Sequence, residues 1–429
     1  MKILHVIQRY YPYIGGAELT FQEIAERLAR DGHAITVYTT DAWDLERFWR
    51  ADKRAVELVN ETHNDVFIER FEIKYLPLSP LTFPIFKRGM ALLSQMPFVS
   101  TRFLFSLARL TPYVPSLDAA LDTTSEHFDL VHTANISLDS CVYAAYRLAR
   151  RKKIPFVLTP FLHLGEDDDA QVRRFYTMPH QLEMLQRADA VIVMTQREGE
   201  ALMEHGIARE KIHRIGAGVE PKALAGGDAA RFRAAFNVES PIVAYIGTAA
   251  FDKGTVHLVE AMQRVWEKTD ATLVLAGSQM SAFEAFFAQQ PAEVKRRVRQ
   301  LGFIDDATKR DLLAACDVFV MPSRTDSFGI VYLEAWLYDK PVIGAQAGGV
   351  PEVIDDGENG FLVKFGDVDA IAARIVQLSS DRALAKRFGE HGHKKVLRAM
   401  TWEQQYVQVR ALYETLIRES ANVKRQTSR

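Results

Sequence analysis

Apolar positions along the chain follow two alternating rhythms. Short β-branched runs, KILHVI, AITVYTT, DLVHT, PFVLT and ADAVIVM, are separated by longer stretches with helical spacing, and the alternation resumes in PIVAYIG, TLVLAG, DVFVMP, KPVIGA and GFLV. Strand-length apolar runs divided by helix-length patterns predict βαβ units on parallel sheets, so the fold class is α/β. Because the rhythm occurs twice, two Rossmann-like domains are predicted. Between the sets, GAGVEPKALAGGDAARFRAAFNVESP is rich in Gly and Ala and has no clear strand, so a linker is expected over 216–240, with domains over 1–215 and 241–400. Thr401, with Gln404 three residues on and apolar positions at Tyr406, Val409, Leu412 and Leu416, predicts a closing helix over 401–419 and then a polar tail, 420–429.

Residues 73–117 break the alternation. They carry Lys74, Lys87, Arg88, Arg102 and Arg109, no Asp or Glu, and many Phe, Leu and Met. Two readings stand side by side: a peripheral membrane surface, with basic heads on anionic phosphates, or helices packed on the first domain with their cations in water.

Composition narrows the classes. With 53 Lys and Arg against 55 Asp and Glu, the net charge of −2 gives no global attraction to nucleic acid. The N-terminal apolar run is short and interrupted by His5, and no apolar stretch is long enough to span a bilayer. A cytoplasmic location is expected, at the inner face of the membrane if the insertion binds lipid. Cys141 and Cys316 lie far apart in apolar segments and read as reduced core residues.

Candidate chemistry gathers in the loops that follow strands. Gly15 and Gly16 stand between a first strand and a first helix, where backbone approaches a ligand easily, though two glycines also suit a plain tight turn. Lys253-Gly254 opens a helix after PIVAYIG, so the ammonium can meet a phosphate or simply face water. Neither GxGxxG nor GxxxxGK[ST] is present, which argues against a dinucleotide redox cofactor and a triphosphate P-loop. In SRTDSFGIVYLEAW, Asp326 lies in a polar loop and Glu334 in an apolar run. A carboxylate there must be paired, or bind something. Acceptor-only carboxylates suit a ligand with hydroxyls, and the N–H groups of Ser327, Phe328 and Gly329 suit its oxygens. His132 and His163 each follow an apolar run, and either serves as a candidate catalytic group or as strand-end packing. Asp167-Asp168-Asp169 contains a DxD, read as a helix-start cluster and not as a metal site; no metal is expected.

In order and spacing, GGAE, Gly247 to Gly254, Leu301 to Phe303, PSRTDSFGIVYLEAW and KPVIGAQAGGVPEVIDDGENGFLV resemble the family 4 retaining glycosyltransferases of the GT-B fold. The likeness covers nearly the whole chain and is weakest over 41–128. It implies two Rossmann-like domains facing across a cleft, with the nucleotide sugar on the C-terminal domain and the acceptor on the N-terminal one. By this resemblance Gly15, Gly16 and Lys253 bind the donor diphosphate, Asp326 with Ser327, Phe328 and Gly329 meets the transferred sugar, Glu334 binds the ribose, and backbone near Phe303 reads the base. Catalysis would rest on Lys253, Asp326 and His132. The closing helix would cross back to the first domain. The implied activity is metal-independent transfer of a hexose-type sugar, from UDP in preference to GDP, to a carbohydrate or lipid-linked hydroxyl, with no cofactor. Two departures stand out: the first acid is usually Glu and here is Asp326, and the usual loop arginine is Thr248, for which Arg324 is a candidate substitute. A non-catalytic nucleotide-sugar-binding subunit and a sugar-nucleotide epimerase remain as alternatives on the same fold.

Overall fold

The computed structural model describes residues 1–13, 15–166 and 170–427. They form two compact units, one from Met1–Leu162, Ala170–Ile215 and Gln405–Arg429, the other from His163–Asp169 and Gly216–Gln404. Asp167, Asp168 and Asp169, which carry the DxD, lie outside the described residues.

The first unit is built on strands β1 (Lys2–Val6), β2 (Ala34–Thr40), β3 (Asn60–His63), β4 (Val66–Phe71), β5 (Leu130–Ala134), β6 (Phe156–Thr159), β7 (Ala190–Val193) and β8 (Ile212–Arg214). They form an eight-stranded sheet in the order β3-β4-β2-β1-β5-β6-β7-β8. Every pairing is parallel except β3 with β4, an antiparallel hairpin. Its two-residue turn, Asn64-Asp65, has positive φ at both positions, 46° and 63°, the geometry that matches the twist of hairpin strands.

The second unit holds β9 (Ile242–Ile246), β10 (Thr272–Ala276), β11 (Val298–Gly302), β12 (Val318–Met321), β13 (Val342–Ala345) and β14 (Gly360–Val363). This six-stranded sheet runs β11-β10-β9-β12-β13-β14, all parallel. Both β9 and β12 are buried along their whole length, as a parallel sheet covered on both faces requires. Strand order reverses between them. In open α/β sheets ligands bind at the carboxyl ends of strands flanking such a reversal.

Two boundaries differ from the sequence reading. Residues 216–240 are no free linker: they belong to the second unit and contain the helix Ala229–Phe236. Asp228 caps that helix through the N–H groups of Ala230 and Arg231, Phe232 is buried, and Arg231 pairs with Asp311. The closing helix runs from Trp402 to Thr427, so residues 420–427 continue it and are not a frayed tail; from Gln405 on it belongs to the first unit.

Segment 73–117 folds into helices Ser79–Leu93 and Thr101–Ala108 and the start of Pro115–Thr123. The inner face of Ser79–Leu93 packs Phe86, Met90 and Ala91 against Leu107, Ala108 and Met178. Lys87, on the same side, donates to Asp139 Oδ1 at 3.1 Å and to the Ser137 carbonyl at 2.7 Å. Among the described residues no helix is long and apolar enough to cross a membrane.

Candidate active site

At the strand reversal of the second unit, the loops after β9 and β12 are laid against each other. Gly254 makes this approach possible: its φ is +76°, and a Cβ there would lie 2.2 Å from the Pro322 carbonyl oxygen. Arg324 N–H donates to the Asp252 carbonyl at 3.0 Å, and the helix Thr255–Val265 starts directly after Gly254. Lys253 is thereby directed at the second loop, where Nζ donates to the Thr325 carbonyl at 3.2 Å and lies 3.2 Å from Asp326 Oδ2.

A third loop completes the cluster. The N–H of Gly349 donates to the Asp326 carbonyl at 3.0 Å, and Gly348 N–H donates to the Gly165 carbonyl at 2.8 Å, which ties the stretch containing His163 to the same place. Gly348 has φ +57°, and a Cβ would meet the Asp326 carbonyl oxygen at 2.2 Å. His163 comes within electrostatic reach of both charged groups: burial and Lys253 push its imidazole down to about 3, against the opposing pull of Asp326. Burial raises the Asp326 carboxyl, but Lys253 and the Ser323 hydroxyl outweigh it and hold the group below its ordinary value. The result is an ionised carboxylate and a neutral imidazole around one ammonium.

The helix of the two-acid stretch begins at Ile330, with Gly329 at φ +91° before it, so Asp326 is a loop residue and Glu334 a helical one. Among the described residues, the N–H groups of Ser327, Phe328 and Gly329 donate no hydrogen bond within the protein. Glu334 is 4% exposed, and its partner is a residue that sequence pattern did not single out: Lys309, in helix Asp306–Ala315, donates to Oε1 at 2.9 Å. Burial lowers the Lys309 ammonium, yet Glu334 raises it further, so Lys309 is held above its ordinary value. Glu334 Oε2 is buried without a hydrogen-bond partner. Phe303, directly after β11, is 44% exposed.

Other candidates fall elsewhere. His132 is a core residue of the first unit, paired in register with His5 across β1 and β5. Its Nδ1 lies 2.5 Å from the Tyr413 hydroxyl and its Nε2 lies 2.7 Å from Thr159 Oγ1, while His5 Nε2 is 3.2 Å from the same Tyr413 oxygen. His163 thus lies with Lys253 and Asp326 in the second unit, whereas His132 lies in the core of the first. Gly15 and Gly16 cap and open the helix Gly16–Arg30 of the first unit, next to the Arg9–Glu18 ion pair at 2.9 Å. Thr248 Oγ1 is 3.0 Å from Ser278 Oγ. Arg324, the candidate substitute for the loop arginine, pairs with Asp252, at 2.9 and 2.7 Å, and lies over the rings of Phe365 and Phe251. Among the described residues no group of three or more His, Cys, Asp or Glu is placed to hold a metal ion.

Two Rossmann-like units, the second with a lysine and a carboxylate joined where its strand order reverses, define the GT-B class of α/β proteins. Residues 15–218 match the family described as glycosyl transferase 4-like domain, and residues 228–395 match glycosyl transferases group 1. The chain belongs to the group 1 glycosyltransferases. It is 31% identical over 167 residues to N-acetyl-alpha-D-glucosaminyl L-malate synthase of Bacillus anthracis, a match spanning 39% of this chain and only 43% of that relative. It is 29% identical over 274 residues to a lipopolysaccharide core biosynthesis glycosyltransferase of Rhizobium meliloti, covering 62% of this chain and 78% of the relative. Anabaena HepE, solved in complex with UDP and glucose, shares the fold with a TM-score of 0.71 at 21% identity, over 96% of this chain and 99% of that one. Sucrose-phosphate synthase from Thermosynechococcus elongatus does so with a TM-score of 0.73 at 21% identity, over 98% and 100%.

Proposed function

We propose that the protein is a retaining, metal-independent hexosyltransferase that uses a UDP-sugar in preference to a GDP-sugar and a hydroxyl of a carbohydrate or lipid-linked acceptor, working at the inner face of a membrane. The observation that carries this reading is the convergence of Lys253, Asp326 and His163 on one point at the strand reversal. Lys253 takes up charge developing on the departing diphosphate, and the N–H groups of Ser327, Phe328 and Gly329 donate to oxygens of the transferred sugar. Asp326, ionised, accepts hydrogen bonds from sugar hydroxyls, and neutral His163 lends a ring nitrogen beside it. Glu334 Oε2 waits for ribose hydroxyls while Lys309 holds the other oxygen, and the Phe303 stretch meets the base. The glycosidic bond of the donor breaks, the acceptor oxygen attacks the same face of the anomeric carbon, and its proton passes to the departing phosphate oxygen. No protein base is required.

UDP is preferred because a structural relative is described in complex with UDP and glucose. The test is incubation with UDP- and GDP-hexoses and a panel of sugar and lipid-linked acceptors, followed by analysis of anomeric configuration. Transfer with retention from a UDP-sugar in the presence of chelator is the expected result. Donor binding without turnover would instead indicate a binding subunit, and a new nucleotide sugar without acceptor an epimerase.

A further inference from the structure

Helix Ser79–Leu93 is apolar on both sides. Its inner side is packed, and its outer side carries Leu81, Pro84, Ile85, Arg88 and Leu92, a helical stripe in which every member is exposed. Ile85 is 67% exposed, and Phe98, in the connection to the next helix, is 81% exposed. Leu78 before the stripe and Phe103 beyond it extend the same character. No other stretch among the described residues gathers as many exposed large apolar side chains. A helix that is apolar all round is expected in a core or in lipid, not in water.

Charge decides what covers this face. Lys87 is turned inward to Asp139, Lys74 pairs with Glu72 and Arg109 with Asp118, whereas Arg88 and Arg102 make no ion pair among the described residues. Both unpaired cations therefore lie within or beside the apolar stripe, and no Asp or Glu occurs anywhere over 73–117 to oppose them. Apolar side chains interleaved with unopposed arginines complement the acyl boundary and anionic headgroups of a bilayer. At 15 residues the helix is about 22 Å long, too short to span and suited to lying flat.

We infer that the outer face of Ser79–Leu93, with Phe98 and Phe103, is a docking surface for an anionic phospholipid bilayer. This rests on the reading of a membrane-facing acceptor and gives it a place on the molecule. The experiment is co-sedimentation with vesicles of phosphatidylcholine alone and of an equal mixture with phosphatidylglycerol, with donor binding followed in parallel by the thermal shift that a UDP-sugar produces. The protein should sediment with the mixed vesicles and much less with phosphatidylcholine. The triple variant Leu81→Ser, Ile85→Ser, Leu92→Ser should lose sedimentation; these side chains are exposed, so the fold and the donor-induced shift should persist. Arg88→Gln with Arg102→Gln should reduce binding to mixed vesicles roughly 25-fold, at about fivefold per cation near the surface. Phe98→Trp should show a blue-shifted emission with mixed vesicles. No sedimentation of the unaltered protein, or undiminished sedimentation of the triple variant, overturns the inference. So does a concentration-dependent dimer that the triple variant abolishes, without vesicle binding. Vesicle binding with no response to any nucleotide sugar leaves this surface standing and counts against the transferase reading alone.

Discussion

Lys309 Nζ donates to Oε1 of Glu334 at 2.9 Å and leaves Oε2 of the same carboxylate buried without a hydrogen-bond partner. A buried carboxylate oxygen held in that state costs free energy unless a donor arrives. Glu334→Gln should therefore keep the fold and weaken UDP-sugar binding about 10-fold to 100-fold, the worth of hydrogen bonds to a charged group. Isothermal titration is the measurement; unchanged affinity would remove Glu334 from the donor site.

Lys253 is the cation that the paired loops direct at Asp326. Lys253→Ala should lower kcat about 10²-fold to 10³-fold, as loss of one preorganised charge at a leaving group does. Lys253→Arg should recover part of it. Full activity in the alanine variant would contradict the assigned role.

The two histidines should separate cleanly. His163→Ala should reduce kcat with little change in melting temperature, because it borders the cluster. His132→Ala should do the reverse, lowering stability through loss of its contacts to Tyr413 and Thr159. The opposite pattern would return His132 to the catalytic site.

Burial holds His5 down to about 3 and, together with His5, holds His132 well below its ordinary value. Both are neutral when folded and take up protons when unfolded near pH 6.5. Their contribution is fully present above that pH and is lost as pH falls below about 6.5, down to about 3 for His5, at about 1.4 kcal/mol per pH unit for each group. Chemical denaturation at pH 7.5, 6 and 5 checks this, and the pH slope should shrink in His5→Gln. A flat profile would mean that these rings do not titrate between the two states.

Asp326→Glu should retain transfer while changing the ratio of kcat/KM between two hexose donors by about tenfold, since one methylene repositions the carboxylate against sugar hydroxyls. Competition between paired donors gives the ratio directly. An unaltered ratio would show that side-chain length at this position does not set donor choice.

Ten strands were legible because parallel-sheet strands buried on both faces read as continuous apolar runs. β11 was not: VRQLG follows the charged helix Ala292–Arg297 without a break and lies at the sheet edge. The hairpin of β3 and β4 carried a signal in Asn64-Asp65, two residues tolerant of positive φ. Lys253 and Asp326 could be read because each follows a strand in a position that the fold reserves for ligands. Lys309 could not, since its pairing with Glu334 joins two helices 25 residues apart and nothing in DATKRDLLAA marks it. His132 and His163 look equivalent in sequence, each just past an apolar run. What separates them is the hydrogen bond from Gly348 to Gly165, a contact between segments nearly two hundred residues apart.

Tyr413 supplies the hydroxyl that both His5 and His132 approach. It is made 281 residues after His132, which at roughly 5–20 residues per second is on the order of 14–56 s of synthesis. Throughout that interval the hydroxyl that both rings approach is missing from the nascent chain, and His132 has only its other contact, to Thr159. The first unit to be translated, its eight strands all made by Arg214, is thus the last to be completed, by a helix that begins at Trp402.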